Sequence, residues 1–310
     1  MVTRLGLGLP QMRQYDIGRD IPAVARAAEG IGYDSLWVFE RVLFPTPATQ
    51  GLYGIDGLPW PEHYRSVADP LISLTLAAAA TERVRLGSSV LVAPLHIPFE
   101  LARALATLDV ASGGRVTAGF GTGWSHDEYA AQSVAPFAQR GATLDELLDV
   151  CGAVWGPDPV AYEGTLTRIA PSEVGPKPAR PVPVLLAASG PRASRRLVDR
   201  ADGWLPVAMG ARQLADSWGE LRDLAAERDR TRPLTATVRA NAAYTPKPYE
   251  GTGRRPFQGS VDQIVEDLVA HVRASGIDDF LLDLQSGTRD AQELMDVAAA
   301  VYEAARAAGV

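Results

Sequence analysis

Three glycines, Gly119, Gly121 and Gly123, alternate with other residues in TAGFGTGWSHDEY, residues 117–129. Glycine has no Cβ and accepts either sign of φ, so this spacing suits either a backbone pressed close to a ligand or a tight turn without one. A dinucleotide fingerprint would need glycine where Trp124 stands, and the first apolar run lacks the signature altogether. No lysine follows a Walker-type loop, and G-x-S-x-G is absent. The histidines, His63, His96, His126 and His271, are too scattered for metal-ligand spacing. The single cysteine, Cys151, falls on an apolar helical stripe and reads as core. No metal site is expected.

The elements that must carry these residues alternate regularly. Apolar or β-branched runs begin near residues 4, 35, 84, 115, 182, 203, 235 and 279, each followed by a helical stretch. Their apolar residues are consecutive rather than alternating, as in parallel strands covered on both faces. Leu144, Leu147, Leu148, Cys151 and Val154 make one helical stripe, and Leu294, Val297, Ala298 and Val301 make another. Ser260 and Gln263 have capping-box spacing before the helix that follows. Eight such units in 310 residues predict a single (β/α)8 TIM barrel over 1–310. Four stretches exceed the minimal barrel: 41–68 after the second strand, 123–139 after the fourth, 157–181 before the fifth and 244–259 after the seventh. The first, second and fourth of these are expected to roof one pocket at the catalytic face.

A net charge of −7 disfavours nucleic acid and anionic membranes as partners. The opening MVTRLGLGLP is too short in apolar residues for a signal-peptide core, and LISLTLAAAA at 71–80 is about half a membrane span. A cytoplasmic protein is expected. Only Lys177 and Lys247 are lysines among 30 basic residues, a bias of GC-rich genomes such as those of actinobacteria.

Six blocks, GYDSLWVFER, ATERVRLGSSVLVAPLHIP, LARALATLDVASGGRVTAGFGTGW, AQRGATLDELLDVCGAVWG, VGPKPARPVPVLLAASGP and ADGWLPV, together resemble the bacterial luciferase-like oxidoreductases. They look closest to the actinobacterial branch that uses the deazaflavin coenzyme F420. The resemblance implies a dimeric barrel with a flavin or deazaflavin across its C-terminal mouth. It implies a non-prolyl cis peptide from Ser89 to Val90, with Ser88 alongside, pressing on the coenzyme ring. Phe39, Gly121, Thr122, Gly123 and Trp124 would lie near that ring, so the glycines would admit a tricycle rather than a phosphate. The phosphate would meet backbone N–H groups of Ala188, Ser189 and Gly190 at a helix start, with Met209 and Gly210 as a second contribution. Arg192 would either pair with the coenzyme tail or sit on a solvated helix face.

Two positions depart from the pattern. Where relatives commonly have an acidic residue and histidine after the second strand, this chain has Glu40 and Arg41. Arginine stays protonated and cannot act as a base, though it can hold negative charge. Trp124 replaces the glutamate that some deazaflavin dehydrogenases carry after G-T-G. His126 is then either the nearest proton donor or a surface histidine. The expected catalytic group is Glu40, Arg41 and His126. The function implied is hydride transfer between F420 and a small organic substrate. Two alternatives stand beside it: a monooxygenase using reduced FMN from a separate reductase, and a flavin-binding protein without catalysis.

Overall fold

The computed structural model describes residues 3–310. Its barrel begins with β1 (Arg4–Gly8), α1 (Ile17–Ile31) and β2 (Ser35–Val38), followed by α2 (Pro70–Ala80). The third strand is interrupted, as β3 (Arg85–Ser88) and β4 (Leu91–Val92), and α3 (Pro98–Ser112) and β5 (Val116–Gly121) come next. Then follow α4 (His126–Gln132), α5 (Arg140–Trp155) and the hairpin β6 (Val160–Glu163) and β7 (Arg168–Ser172). β8 (Val184–Leu186), α6 (Pro191–Arg200), β9 (Gly203–Trp204) and α7 (Ala211–Glu227) lead to a split seventh strand, β10 (Thr235–Ala236) and β11 (Val238–Asn241). The chain ends with β12 (Ala243–Tyr244), β13 (Gln258–Gly259), α8 (Val261–Ser275), β14 (Asp279–Asp283) and α9 (Ala291–Ala307).

All eight expected strand positions are therefore occupied. The two interruptions make ten pieces of one sheet, in the order β10-β9-β8-β5-β3-β2-β1-β14-β11, with β4 beside β5. Every pairing in it is parallel. The split strand closes the ring because its two halves face different neighbours: β10 pairs with β9, and β11 with β14. Between them the Thr237 N–H still donates to the Trp204 carbonyl at 2.9 Å, and within β11 the Arg239 N–H donates to the Pro206 carbonyl at 2.8 Å.

Inside the barrel, Trp37 is 1% exposed and packs with Leu185, Leu205, Leu281 and the half-buried Val90. Its indole Nε1 donates to Ser35 Oγ at 2.8 Å. One large ring fills the centre only because its neighbours are small. A Cβ on Gly6 would stand 2.6 Å from the Trp37 Nε1, and one on Gly87 would overlap the six-membered ring. Between sheet and helices lies the larger apolar layer, which includes Cys151; burial raises the pKa of its thiol.

Helix boundaries follow local chemistry. Asp16 caps α1 by accepting from the Arg19 N–H at 3.0 Å, and Gly32 ends that helix at φ 116°. Gln263 accepts from the Ser260 N–H at 3.2 Å at the start of α8. The extra segment 157–181 contains the β6–β7 hairpin, fastened by Glu146, which accepts from Thr165, Leu166 and Thr167 N–H groups at 3.0, 2.7 and 2.8 Å. Segments 41–68 and 123–139 meet: Gln50 donates to the Trp124 carbonyl at 3.0 Å, and the Thr49 N–H to Asp127 at 3.1 Å. The third segment expected there is 244–259. Its bonds run to α8, from Arg254 to Asp267 at 2.6 Å and from the Tyr249 N–H to Gln263 at 2.8 Å. Opposite charge and a nearby amide on α8 hold it there.

Candidate functional site at the barrel mouth

The chain exits β3 through a cis peptide between Ser89 and Val90. Around it the sheet is tied by side chains as well as by its ladder. Ser88 Oγ accepts from the Gly119 N–H and donates to the Gly119 carbonyl, both at 2.9 Å, and Ser88 is 1% exposed. The Ser89 N–H donates to the Val38 carbonyl at 2.7 Å. Val90 reaches the top of the interior cluster, close enough to Gly121 that a Cβ there would lie 2.6 Å from Val90 Cγ2. Gly123 has φ +68°, a conformation that L side chains rarely adopt, and a Cβ there would meet Val92 at 2.6 Å. Thr122, half-buried, has its carbonyl held by the Tyr129 hydroxyl.

Past these glycines the mouth is lined with small residues. Ala187 and Ala188 are half-buried and Ser189 and Gly190 exposed after β8, while Val207 after β9 is 45% exposed. Gly190 and Gly210 are the N-cap residues of α6 and α7, without a side-chain cap, and a Cβ on either would meet nothing within 4 Å. Two helix starts thus offer unfilled backbone N–H groups over open space. Arg192 is exposed on α6. Met209 is half-buried and its carbonyl lies 3.0 Å from His271 Nε2.

The other side of the mouth is built from ion pairs and rings. Glu40, 5% exposed, accepts from the Val92 N–H at 2.6 Å and stands 2.8 Å from His96 Nε2. Burial opposes a charge on His96, but the hydrogen bond and negative charge of Glu40 outweigh it, so the His96 pKa is raised. Arg41 Nη1 donates to Glu128 Oε2 at 2.8 Å, and the Val42 N–H to Glu128 Oε1 at 3.1 Å. Burial raises the Glu128 pKa against the opposing pull of Arg41. The Arg41 guanidinium lies 4.8, 5.9 and 6.0 Å from the ring centres of Trp124, Trp60 and Tyr64. Phe39, 4% exposed, packs against Tyr64 at 5.6 Å between centroids.

The structure brings Glu40, Arg41 and Trp124 into one wall, and His126 lines a cavity that it shares with Trp124. His126 is exposed at the start of α4 and stacks on Phe137 at 4.1 Å between ring centroids. Three contributors were not singled out from the sequence. Arg239, at the end of the split strand, donates to the Ser89 carbonyl, to Asp283 and, at 2.8 Å, to Asn241, with its guanidinium 5.1 Å from the Phe39 ring. Asp283 ends β14 and keeps Oδ1 buried without a partner. His96 is the third. The available signal was charge: TATVRAN and DFLLDL each set one ionised residue at the C-terminal end of a barrel strand, where it must face the mouth. Among the described residues, no cluster of three metal-ligating side chains occurs, and no helix is long and apolar enough to cross a membrane.

Residues 8–250 match the family described as Luciferase-like monooxygenase. An uncharacterized protein of Mycobacterium tuberculosis strain H37Rv is 37% identical over 194 residues, covering 61% of this chain and 68% of that protein. An F420-dependent glucose-6-phosphate dehydrogenase of Beutenbergia cavernae is 33% identical over 247 residues, 78% of this chain and 69% of that enzyme. Among solved structures, monooxygenase RslO1 from Streptomyces bottropensis superposes with a TM-score of 0.79 at 20% identity, over 99% of this chain and all of that one.

Proposed function

The chain belongs to the luciferase-like monooxygenase family, and from that premise we propose that it is an oxidoreductase passing hydride between deazaflavin F420 and a small organic substrate. The observation that carries the proposal is the band of small residues across the exits of β5, β8 and β9, above Val90 and leading to the two uncapped helix starts. A flat ring needs a wide, shallow, apolar seat, and its phosphorylated tail needs backbone N–H groups in open space. Gly121, Thr122, Gly123 and Ala188 would hold the ring, while Ser189, Gly190 and Gly210 would hold the tail. The F420 dependence of the B. cavernae relative supports the deazaflavin.

When bound, the coenzyme supplies the carbon that gives or takes hydride. The chain's own residues position and exclude. Val90 sets the floor, Trp124 and the segment 41–68 cover the site against water, and Arg41 stabilises negative charge on the substrate side. Glu40 acts through structure, holding the Val92 N–H beside the cis peptide, and His96 balances its charge. His126 is exposed and lines a cavity with Trp124, whereas Glu128 stands behind Arg41 with a raised pKa.

Titration of the coenzyme-free protein with F420 and with FMN, followed by coenzyme fluorescence, tests this reading. F420 should bind with at least tenfold preference over FMN. Tight FMN binding without F420 affinity would replace it with a reduced-flavin monooxygenase served by a separate reductase. The proposal includes a homodimer, because α2 carries no charged residue and leaves Ile72 61% exposed. It also places the protein in the cytoplasm, with neither nucleic acid nor membrane as partner.

A further inference from the structure

α8 carries an aspartate and a histidine one turn apart, Asp267 and His271, and each holds a different loop. The Asp267 carboxylate accepts from Arg254 at 2.6 and 2.9 Å and from the Phe257 N–H at 2.7 Å, which fastens segment 244–259. His271, 2% exposed, has Nδ1 2.6 Å from the Asp267 carbonyl and Nε2 3.0 Å from the Met209 carbonyl. Carbonyl oxygens only accept, so each contact is a hydrogen bond where the ring nitrogen carries a proton. Phe257 packs on the imidazole at 4.7 Å between ring centroids. Among the described residues, the His271 contact is the one bond that a side chain makes to the backbone between β9 and α7. That stretch needs a tie. Ala208 sits at φ +56°, a conformation that a residue with a Cβ keeps only where its surroundings enforce it.

We propose that His271 is a positioning residue for the coenzyme tail: by donating from Nε2 to the Met209 carbonyl it fixes the backbone from Ala208 to Gly210 and so aims the first N–H groups of α7 at the phosphate. The inference rests on the reading of the mouth as an F420 seat and adds the residue that orders one end of it. Gly210, the N-cap of α7, follows Met209 directly and has no side-chain partner of its own. The direction of the free N–H groups is therefore inherited from the peptide that His271 holds. A helix start binds an anion well when its donors point at the anion beforehand, because ordering a loop during binding is subtracted from the affinity. The ring seat is built on other elements, the exits of β5 and β8, which His271 does not touch. Its influence thus falls on the tail and leaves the ring alone.

The test titrates the coenzyme-free full-length chain with F420 and with 8-hydroxy-5-deazariboflavin, which keeps the ring and lacks the phosphate and tail. His271→Asn keeps an amide donor near the Nδ1 position and has none at the Nε2 position, whereas His271→Gln sets an amide nitrogen near Nε2. His271→Asn should weaken F420 about tenfold, the equivalent of one hydrogen bond to a charged group, and change the tail-less ring by no more than about twofold. His271→Gln should bring F420 affinity back to within about threefold of the wild type. In the wild type, ring 15N shifts should show a protonated Nε2. A parallel loss of both ligands in His271→Asn overturns the proposal, since it marks a role in packing only. So does unchanged F420 affinity in His271→Asn, a His271→Gln no better than His271→Asn, or an unprotonated Nε2. Absence of F420 binding by the wild type overturns the reading of the mouth and this inference with it; the other results overturn this inference alone.

Discussion

Arg239 donates to the backbone carbonyl of Ser89, bridging the last-closed strand of the barrel to the bend in the third. Its second arm holds Asp283, whose other oxygen has no partner, and both side chains are nearly buried, at 12% and 7% exposure. Removing the cation alone strands a carboxylate in the mouth. Arg239→Ala should therefore cost about 3–5 kcal/mol of stability, read as a lower urea midpoint. Arg239→Lys keeps the charge but loses the planar fork, so it should retain more stability while weakening coenzyme binding. A loss below about 1 kcal/mol in Arg239→Ala, the range of an exposed pair, would show the pair to be solvated.

Gly121 and Gly190 separate space from conformation. At Gly121 a Cβ would stand 2.6 Å from Val90 Cγ2, so alanine must displace the floor of the mouth. At Gly190 the space is open and the cost is the φ of +84°. Gly121→Ala should lower coenzyme affinity at least tenfold, about 1.4 kcal/mol, with a smaller change in melting temperature. Gly190→Ala should instead lose about 1–2 kcal/mol of stability through its backbone. Paired fluorescence titrations and thermal melts check both.

His96 gives the protein a pH signature. Its pKa is raised, with burial opposing the charge and Glu40 overcoming burial. The folded chain thus holds this proton more tightly than the unfolded chain does. The resulting stabilisation is complete below the ordinary histidine value of about 6.5 and is lost as pH rises through the raised value. Asp69 adds to the same field, and His63, lowered by its own burial, acts with the opposite sign below that range. Urea melts from pH 6 to 9 should show stability falling in the wild type and a flatter curve in His96→Gln. Parallel curves would remove His96 from the account.

Ile72 tests the assembly. Placing a carboxylate in the middle of an apolar interface costs several kcal/mol, so Ile72→Glu should shift sedimentation from dimer to monomer at micromolar concentration. Unaltered sedimentation of a dimer would move the interface to another face.

The eight strand positions were legible because apolar runs are local properties of the chain, whereas the cis peptide at Ser89–Val90 was implied only by the family resemblance. The two strand interruptions were not, since a break at Thr237 is decided by which neighbours the halves meet. The same limit governed the site. Glu40, Arg41 and Trp124 could be named from short motifs, but the Arg41–Glu128 pair spans 87 positions and the Arg239–Ser89 bond spans 150. The composition of segment 244–259 signals a loop without saying that Asp267 and Gln263 on α8 would fasten it.

The ring closes through a strand that holds β9 with one half and β14 with the other. The counter-charge of Arg239, Asp283, thus comes from a strand 44 positions further along the chain than the arginine that holds the Ser89 carbonyl, so loosening either half of the split strand slackens the third strand as well.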